Sequence, residues 1–311
     1  MKTITQFVKD GITSLSDLAD AIQVAMQLEF ATIPPYLCAQ WSINSDPSDV
    51  SDLIQDIVVQ EMYHFALAGN MLTAIGGTPN IANADFITHY PTKFLPGGIP
   101  QALPVDLKPL SQDQLQVFMQ IEFPEFPPVG LTARASGPTT IGAFYDTVYA
   151  GFATINPSID TAARFVNMGE AVQIKSVADA LEAISRIKGE GEGTQGDPNQ
   201  PPEDGKQLAH YYVFKEILTG KTLVNAGGWS FSGPSIQFPT VYDFQQSTLN
   251  PSPSVAFNQA VSQLLIDLQK CWTSGGRPST SAMFQLQTLG QGLIQQGFRP
   301  EFLWAPPAGH R

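Results

Sequence analysis

Three side chains stand where a helix face should be wholly apolar. On a helix, the face neighbours of Glu29 are Ile22, Ala25, Met26, Thr32, Ile33 and Tyr36, and none is charged. Glu61 has Ile54, Ile57, Val58, Phe65 and Ala68 around it, and His64 has Ile57, Leu67, Ala68 and Met71. Each projects from a stripe that has to be buried. An isolated buried carboxylate costs several kcal/mol even after relaxation, so it must be protonated, paired or bound to a metal. Glu61 and His64 sit at i and i+3, one turn apart on one face, which lets one helix offer an oxygen and a nitrogen to the same ion. The bland alternative is a helical protein whose buried Glu and His pair with each other.

The second half of the chain offers matching candidates. His210 shares its face with Val213, Phe214 and Ile217 and so points inward. Three residues before it stands Gln207 rather than Glu, and Glu203, two turns before, is the substitute. In the segment from Val177, the apolar set Val177, Ala180, Leu181, Ile184 and Ile187 centres near −25° on a wheel of about 100° per residue. Glu192 falls at about +60° and Glu190 at about −140° on that wheel, so Glu192 is the choice over Glu190. Glu122, with Leu115, Phe118 and Met119 on its face, is a further candidate. His89 and His310, in an irregular stretch and at the tail, are read as non-ligands. Cys38 and Cys271 lack metal-type spacing and read as apolar core.

The elements that must hold these residues are mostly helical. Ser14 to Asp17 caps a helix running to about residue 43, with Pro34-Pro35 kinking or ending it. Asp46-Pro47 opens a second helix, stopped by Gly76-Gly77 with Pro79 beyond. Residues 78–110 carry six prolines and a Gly pair and should be irregular. Ser111 caps a short helix ending before Pro124, and a helix over 140–155 follows. Further helices are expected over 176–192, weakened by glycines from Gly189 on, and over 203–219. Two more should cover 254–272 and 279–296, with a short hairpin in 227–248. The class is mainly α: a four-helix bundle (14–43, 48–76, 176–192, 203–219), an insertion over 78–175 and an extension over 220–311, read as one domain.

Composition narrows the partners. The chain has 311 residues, 28 Asp+Glu against 16 Lys+Arg and a net charge of −12, which argues against nucleic acid or an anionic membrane. A chain this long buries roughly 75% of its unfolded surface and needs no staple for its core. No stretch approaches the ~18 apolar residues of a membrane span, and no secretory signal is visible, so a cytoplasmic protein is expected. With only four histidines, each one on an apolar face carries weight. Phosphate-loop, Gly-x-Ser-x-Gly and Cys-x-x-Cys motifs are missing.

A resemblance follows from these residues. The segments LEFATIPPYLCAQWSI (28–43), VVQEMYHFALAGNMLTAIGGTP (58–79), FMQIEFPEF (118–126), GEGEGT (189–194), AHYYVFKEI (209–217) and the closing FRPEFLWAP are similar to the ferritin-like domain of the iminophenyl-pyruvate dimer synthase family. Glu61-Met62-Tyr63-His64 matches one Glu-x-x-His unit of ferritin-like di-iron bundles. The resemblance implies Glu29, Glu61, His64, Glu192 and His210 as metal-site residues, iron as cofactor (Mn fitting the same donors), and one or two ions. It also implies oxidative coupling or oxidation of a small aromatic imine or 2-oxo acid, as in bisindole pigment and antibiotic biosynthesis, although the pathway enzymes are much longer chains. Trp41, Tyr63, Tyr211 and Tyr212 are candidate walls of an aromatic substrate site, with residues 78–110 as wall or lid. The rival is a ferritin-like metal-binding protein without turnover. A homodimer is an open expectation.

Overall fold

The computed structural model describes residues 2–128, 140–201 and 207–307. Two long helices dominate, α2 (Leu15–Ser42) and α3 (Val50–Ala74), and they pack on each other more extensively than any other pair. Ser14 caps α2 by accepting from the Asp17 N–H at 3.1 Å. The Asp46 carboxylate accepts from the N–H groups of Val50 and Ser51 at 2.9 and 2.6 Å. That cap lies before a left-handed Asp49 (φ 54°), so α3 starts later than Pro47 suggested.

Helix α2 runs unbroken through Pro34 and Pro35. Two missing N–H groups leave the carbonyls of Phe30 and Ala31 without their helical donors. The Tyr90 hydroxyl donates to the Ala31 carbonyl at 2.6 Å and so replaces one of them. Tertiary packing therefore carries the helix past a pair that would end it in isolation.

The remaining described helices are α1 (Ile4–Asp10), α4 (Gln112–Ile121), α5 (Ile141–Ile155), α6 (Val177–Glu192), α7 (His210–Thr219), α8 (Val255–Thr273) and α9 (Thr280–Gln295). Helix α4 packs on α7, α5 on α6, and α8 on α9. Helix α6 continues through Gly189 and Gly191, because both ends of the turn are buried against neighbours and not left to intrinsic propensity. Helix α7 is shorter than expected. Residues before it pair in extended form instead: the Ala209 N–H donates to the Pro198 carbonyl and the Gln200 N–H to the Gln207 carbonyl. His210 thus opens its helix, and Gln207 is not one helical turn behind it. Glu203 and His310 lie outside the described residues.

Among the described residues, three two-stranded antiparallel sheets decorate the helices: β1 (Ile43–Ser45) with β6 (Thr240–Val241), β2 (Thr92–Leu95) with β3 (Ile99–Val105), and β4 (Lys221–Asn225) with β5 (Trp229–Ser235). The Pro-rich stretch is therefore partly a hairpin, whose irregular register accommodates Pro100 and Pro104. Asn70 ties outlying chain to α3: its amide donates to the carbonyls of Val166 and Val172, and its Oδ1 accepts from the Trp272 indole at 2.8 Å. Gly69 permits that approach, since a Cβ there would lie 2.3 Å from the Trp272 ring. No described helix is long and apolar enough to cross a membrane.

Candidate metal centre

Helix α2 brings Glu29 inward, α3 brings Glu61 and His64, the residue after α4 is Glu122, and α7 begins with His210. Four segments far apart in sequence thus bring five side chains together, and all five are nine-tenths or more buried. Their donor atoms form two groups that share Glu61: Glu29, Glu61 and His64 in one, and Glu61, Glu122 and His210 in the other. Within each group the atoms lie within 4.8 Å of one another. The two imidazoles are nearly parallel, with centroids 5.8 Å apart.

Every carboxylate has one oxygen restrained and one oxygen facing the histidines. The Tyr145 hydroxyl, from α5, donates to Oε1 of Glu29. Thr32 donates to Oε2 of Glu61 at 2.6 Å, and Tyr36 to Oε1 of Glu122 at 2.5 Å. The opposite oxygens approach the ring nitrogens: Glu29 Oε2 and Glu61 Oε1 lie 3.6 and 3.7 Å from Nδ1 of His64. Nδ1 of His210 lies 2.9 Å from Glu61 Oε1 and 3.8 Å from Glu122 Oε2.

The histidines are oriented from behind. Nε2 of His64 meets Glu190 Oε2 at 2.7 Å, and Nε2 of His210 meets Gln60 Oε1 at 2.9 Å. Gln60 is itself locked to Gln200, whose amide also donates to the Leu208 carbonyl. An Nε2–H donated backward leaves Nδ1 with its lone pair forward, the arrangement that metal-bound histidine requires. Nδ1 of His210 is buried and makes no directed hydrogen bond despite its short approach to Glu61. Ring nitrogens and carboxylate oxygens that lie this close in two groups, with His210 Nδ1 making no directed hydrogen bond, fit cations between them. Oxygen-rich donors with two imidazoles suit iron or manganese.

Proton energetics of the metal-free site agree. Burial raises the Glu61 carboxyl, and the charge of Glu122 adds to it, to about 7. Burial lowers both imidazoles, but the surrounding carboxylates outweigh it: His64 rises well above its ordinary value and His210 to about 9. Burial would raise Glu190, yet its bond to His64 and the nearby positive charges leave it lowered, so it stays an ionised acceptor. The metal-free site thus holds protons that an entering cation would displace.

Of the residues singled out by sequence, Glu29, Glu61, His64 and His210 come together. Glu192 belongs to neither group of three. Its Oε2 accepts from the Glu125 N–H at 2.6 Å, and its Oε1 abuts Gly142, where a Cβ would lie 1.9 Å away. Glu192 instead lines the small space beside the site, with Glu29, Glu61, His64 and Glu122. Burial raises its carboxyl to about 8. Glu190 faces His64 although the helical wheel set it outward, because α3 covers that side of the α6 terminus. Glu122, and not a residue one turn before His210, supplies the carboxylate beside that imidazole. Thr32, Tyr36, Tyr145 and Gln60 carry no signal as single residues; only their spacing from Glu29 and Glu61, at i+3, i+7 and i−1, marks three of them. His89 is exposed, and Cys38 and Cys271 are buried and free.

The open space beside the centre is about 40 Å³. That holds one or a few water-sized molecules. Lys188, between the carboxylates of Glu125 and Asp146 at 3.1 and 2.6 Å, lines one side of it.

Comparison with known proteins bears on the fold. A solved ferritin-like protein from Caulobacter vibrioides superposes with a TM-score of 0.70 over 94% of this chain and 99% of that one, at 20% sequence identity. Comparison with curated proteins gives no match. The sequence profile described as ferritin-like matches residues 22–219, the span that holds every residue of the two groups, and the chain belongs to the ferritin-like family.

Proposed function

We propose that this chain binds two metal ions, iron by preference and manganese as the substitute, and acts as a non-haem metal oxidoreductase. The observation that carries the proposal is the pair of donor groups sharing Glu61, each with an imidazole Nδ1 freed by a hydrogen bond on its far nitrogen. Glu29 and His64 would hold one ion, Glu122 and His210 the other, and Glu61 would bridge. When bound, the metal supplies the redox change and an open position for a small oxidant. The chain's own part is placement and exclusion. Tyr145, Thr32 and Tyr36 restrain the outer carboxylate oxygens, Glu190 and Gln60 fix the imidazole tautomers, and burial keeps bulk water out.

The likeness to iminophenyl-pyruvate dimer synthases supports an aromatic imine or 2-oxo acid as the organic substrate. A second reading is favoured by the 40 Å³ of space at the site, which suits dioxygen or peroxide and not an aromatic ring. On that reading the protein binds metal without turning over an organic molecule.

Metal analysis after expression in iron- and manganese-replete medium tests the centre. The expected content is about two ions per chain, reduced to about one in His64→Ala. Wild-type protein holding less than about 0.3 ions per chain would overturn it. Oxygen or peroxide consumption by the loaded protein, with and without imines of aromatic amino acids, separates the two readings: acceleration by an imine supports turnover, and an unchanged rate supports binding alone.

A further inference from the structure

A second cavity lies on the other side of the α2–α3 pair. Leu37 and Trp41 of α2, Met62 and Phe65 of α3, Leu265 of α8 and Met283 of α9 are among its walls, and its volume is about 350 Å³. Phe65 and Met62 directly adjoin His64 and Glu61 in sequence, so successive residues of α3 serve opposite sides: metal ligands on one, cavity wall on the other. No charged side chain lines it among the described residues. Phe284, 64% exposed, marks the solvent side. The volume falls within the few hundred Å³ typical of small-molecule sites, which are likewise apolar with a few placed polar groups.

One such polar group is present. Trp41 is only 4% exposed, and its indole N–H has no hydrogen-bond partner. Its benzo edge is clamped against α9 at Gly290, where a Cβ would lie 2.2 Å from Cζ3, so the ring cannot turn to find one. Tyr and Trp donors that are buried usually have acceptors, and an unpaired one is costly. The other indole on this cavity is paired: Trp272 donates to Asn70.

We propose that this cavity binds one neutral, largely apolar small molecule whose hydrogen-bond-accepting oxygen receives the Trp41 indole N–H. The absence of cationic lining disfavours carboxylates and phosphates, because their charge would be buried unpaired. The site stands apart from the metal centre and does not depend on it.

Benzophenone is the probe, because it is neutral and apolar, carries one carbonyl oxygen, and inserts into nearby C–H bonds on irradiation. Titration calorimetry on the full chain would compare it with diphenylmethane, the same shape without the oxygen, and 2-benzoylbenzoate, the charged relative. Benzophenone is expected to bind about tenfold more tightly than diphenylmethane, or ~1.4 kcal/mol, and 2-benzoylbenzoate not measurably. Trp41→Phe should erase the difference between the first two while metal content and circular dichroism stay unchanged. Met283→Trp, at the half-buried rim, should block both. Photo-adducts should map to α2, α3, α8 or α9, or to Met168 or Phe302, which also line the cavity. Equal affinity of the two neutral probes for wild type, adducts elsewhere, or a stable dimer that excludes benzophenone would overturn the proposal, the last by assigning the cavity to a second copy.

Discussion

Glu61 Oε1 stands 2.9 Å from Nδ1 of His210, and neither atom hydrogen-bonds the other along a proper line. The same oxygen is 3.7 Å from Nδ1 of His64, so one carboxylate faces both imidazoles. Its removal should therefore cost more than that of either flanking carboxylate. Glu61→Ala is expected to lose both ions, and Glu29→Ala or Glu122→Ala about one each. Metal content by mass spectrometry, alongside circular dichroism to confirm folding, checks this. Equal single-ion losses from all three would refute the shared role.

Metal affinity should rise with pH. Ligands must be deprotonated to bind, and the metal-free site holds Glu61 at about 7, His210 at about 9 and His64 well above its ordinary value. Binding then expels at least one proton per ion, and apparent affinity should climb about tenfold per pH unit between pH 6 and 8. Manganese titrations at pH 6, 7 and 8 measure the slope, and a flat profile would contradict it.

The far-side partners of the histidines should matter without being ligands. Glu190→Gln and Gln60→Ala are each expected to weaken metal binding by about 10–100-fold with full loading recovered at high metal. Saturation at fewer ions would instead make one of them a ligand.

Stability should carry the mark of Glu192. Burial raises its carboxyl from 4.5 to about 8, so the folded chain holds this proton more tightly than the unfolded chain. The contribution is full below about pH 4.5 and is lost as pH rises through about 8. Between pH 5 and 8, Glu192→Gln should flatten the decline of Tm, by about 2–4 °C. Parallel melting curves for wild type and variant would dismiss the effect.

Tyr90→Phe removes the hydroxyl that satisfies the Ala31 carbonyl beneath Pro35. A loss of about 1 kcal/mol is expected, read as a lower urea midpoint at unchanged slope. No change would mean that water already serves that carbonyl.

Helices with strong apolar periodicity and caps were legible from sequence: α2, α3, α5, α8 and α9 lie where Ser14, the Gly76-Gly77 stop, Thr140, Ser254 and Ser279 place them. Those features are local, and local rules decide them. The start of α7 was not legible, because the pairing of residues 198–200 with 207–209 competes with helix and involves contacts no periodicity encodes. The inward facing of Glu29, Glu61, His64 and His210 follows from a buried stripe. The choice between Glu190 and Glu192 does not, since at the end of α6 neighbours cover both sides and a wheel assumes one core direction. Glu122 stood on an apolar face all along, but only the packing of α4 against α7 sets it beside His210.

His210 begins its helix directly after the extended stretch that Gln200 fastens to Gln60. The last imidazole is thus seated by a clasp, and the clasp forms only between segments distant along the chain. Contacts of such long range form late in folding, because closing the intervening loop has an entropic cost before any contact offsets it. An ion that needs His210 therefore cannot be taken up early. The rate of metal incorporation into refolding chains should report the closing step of assembly, and a nascent chain ending before residue 210 should hold at most one ion.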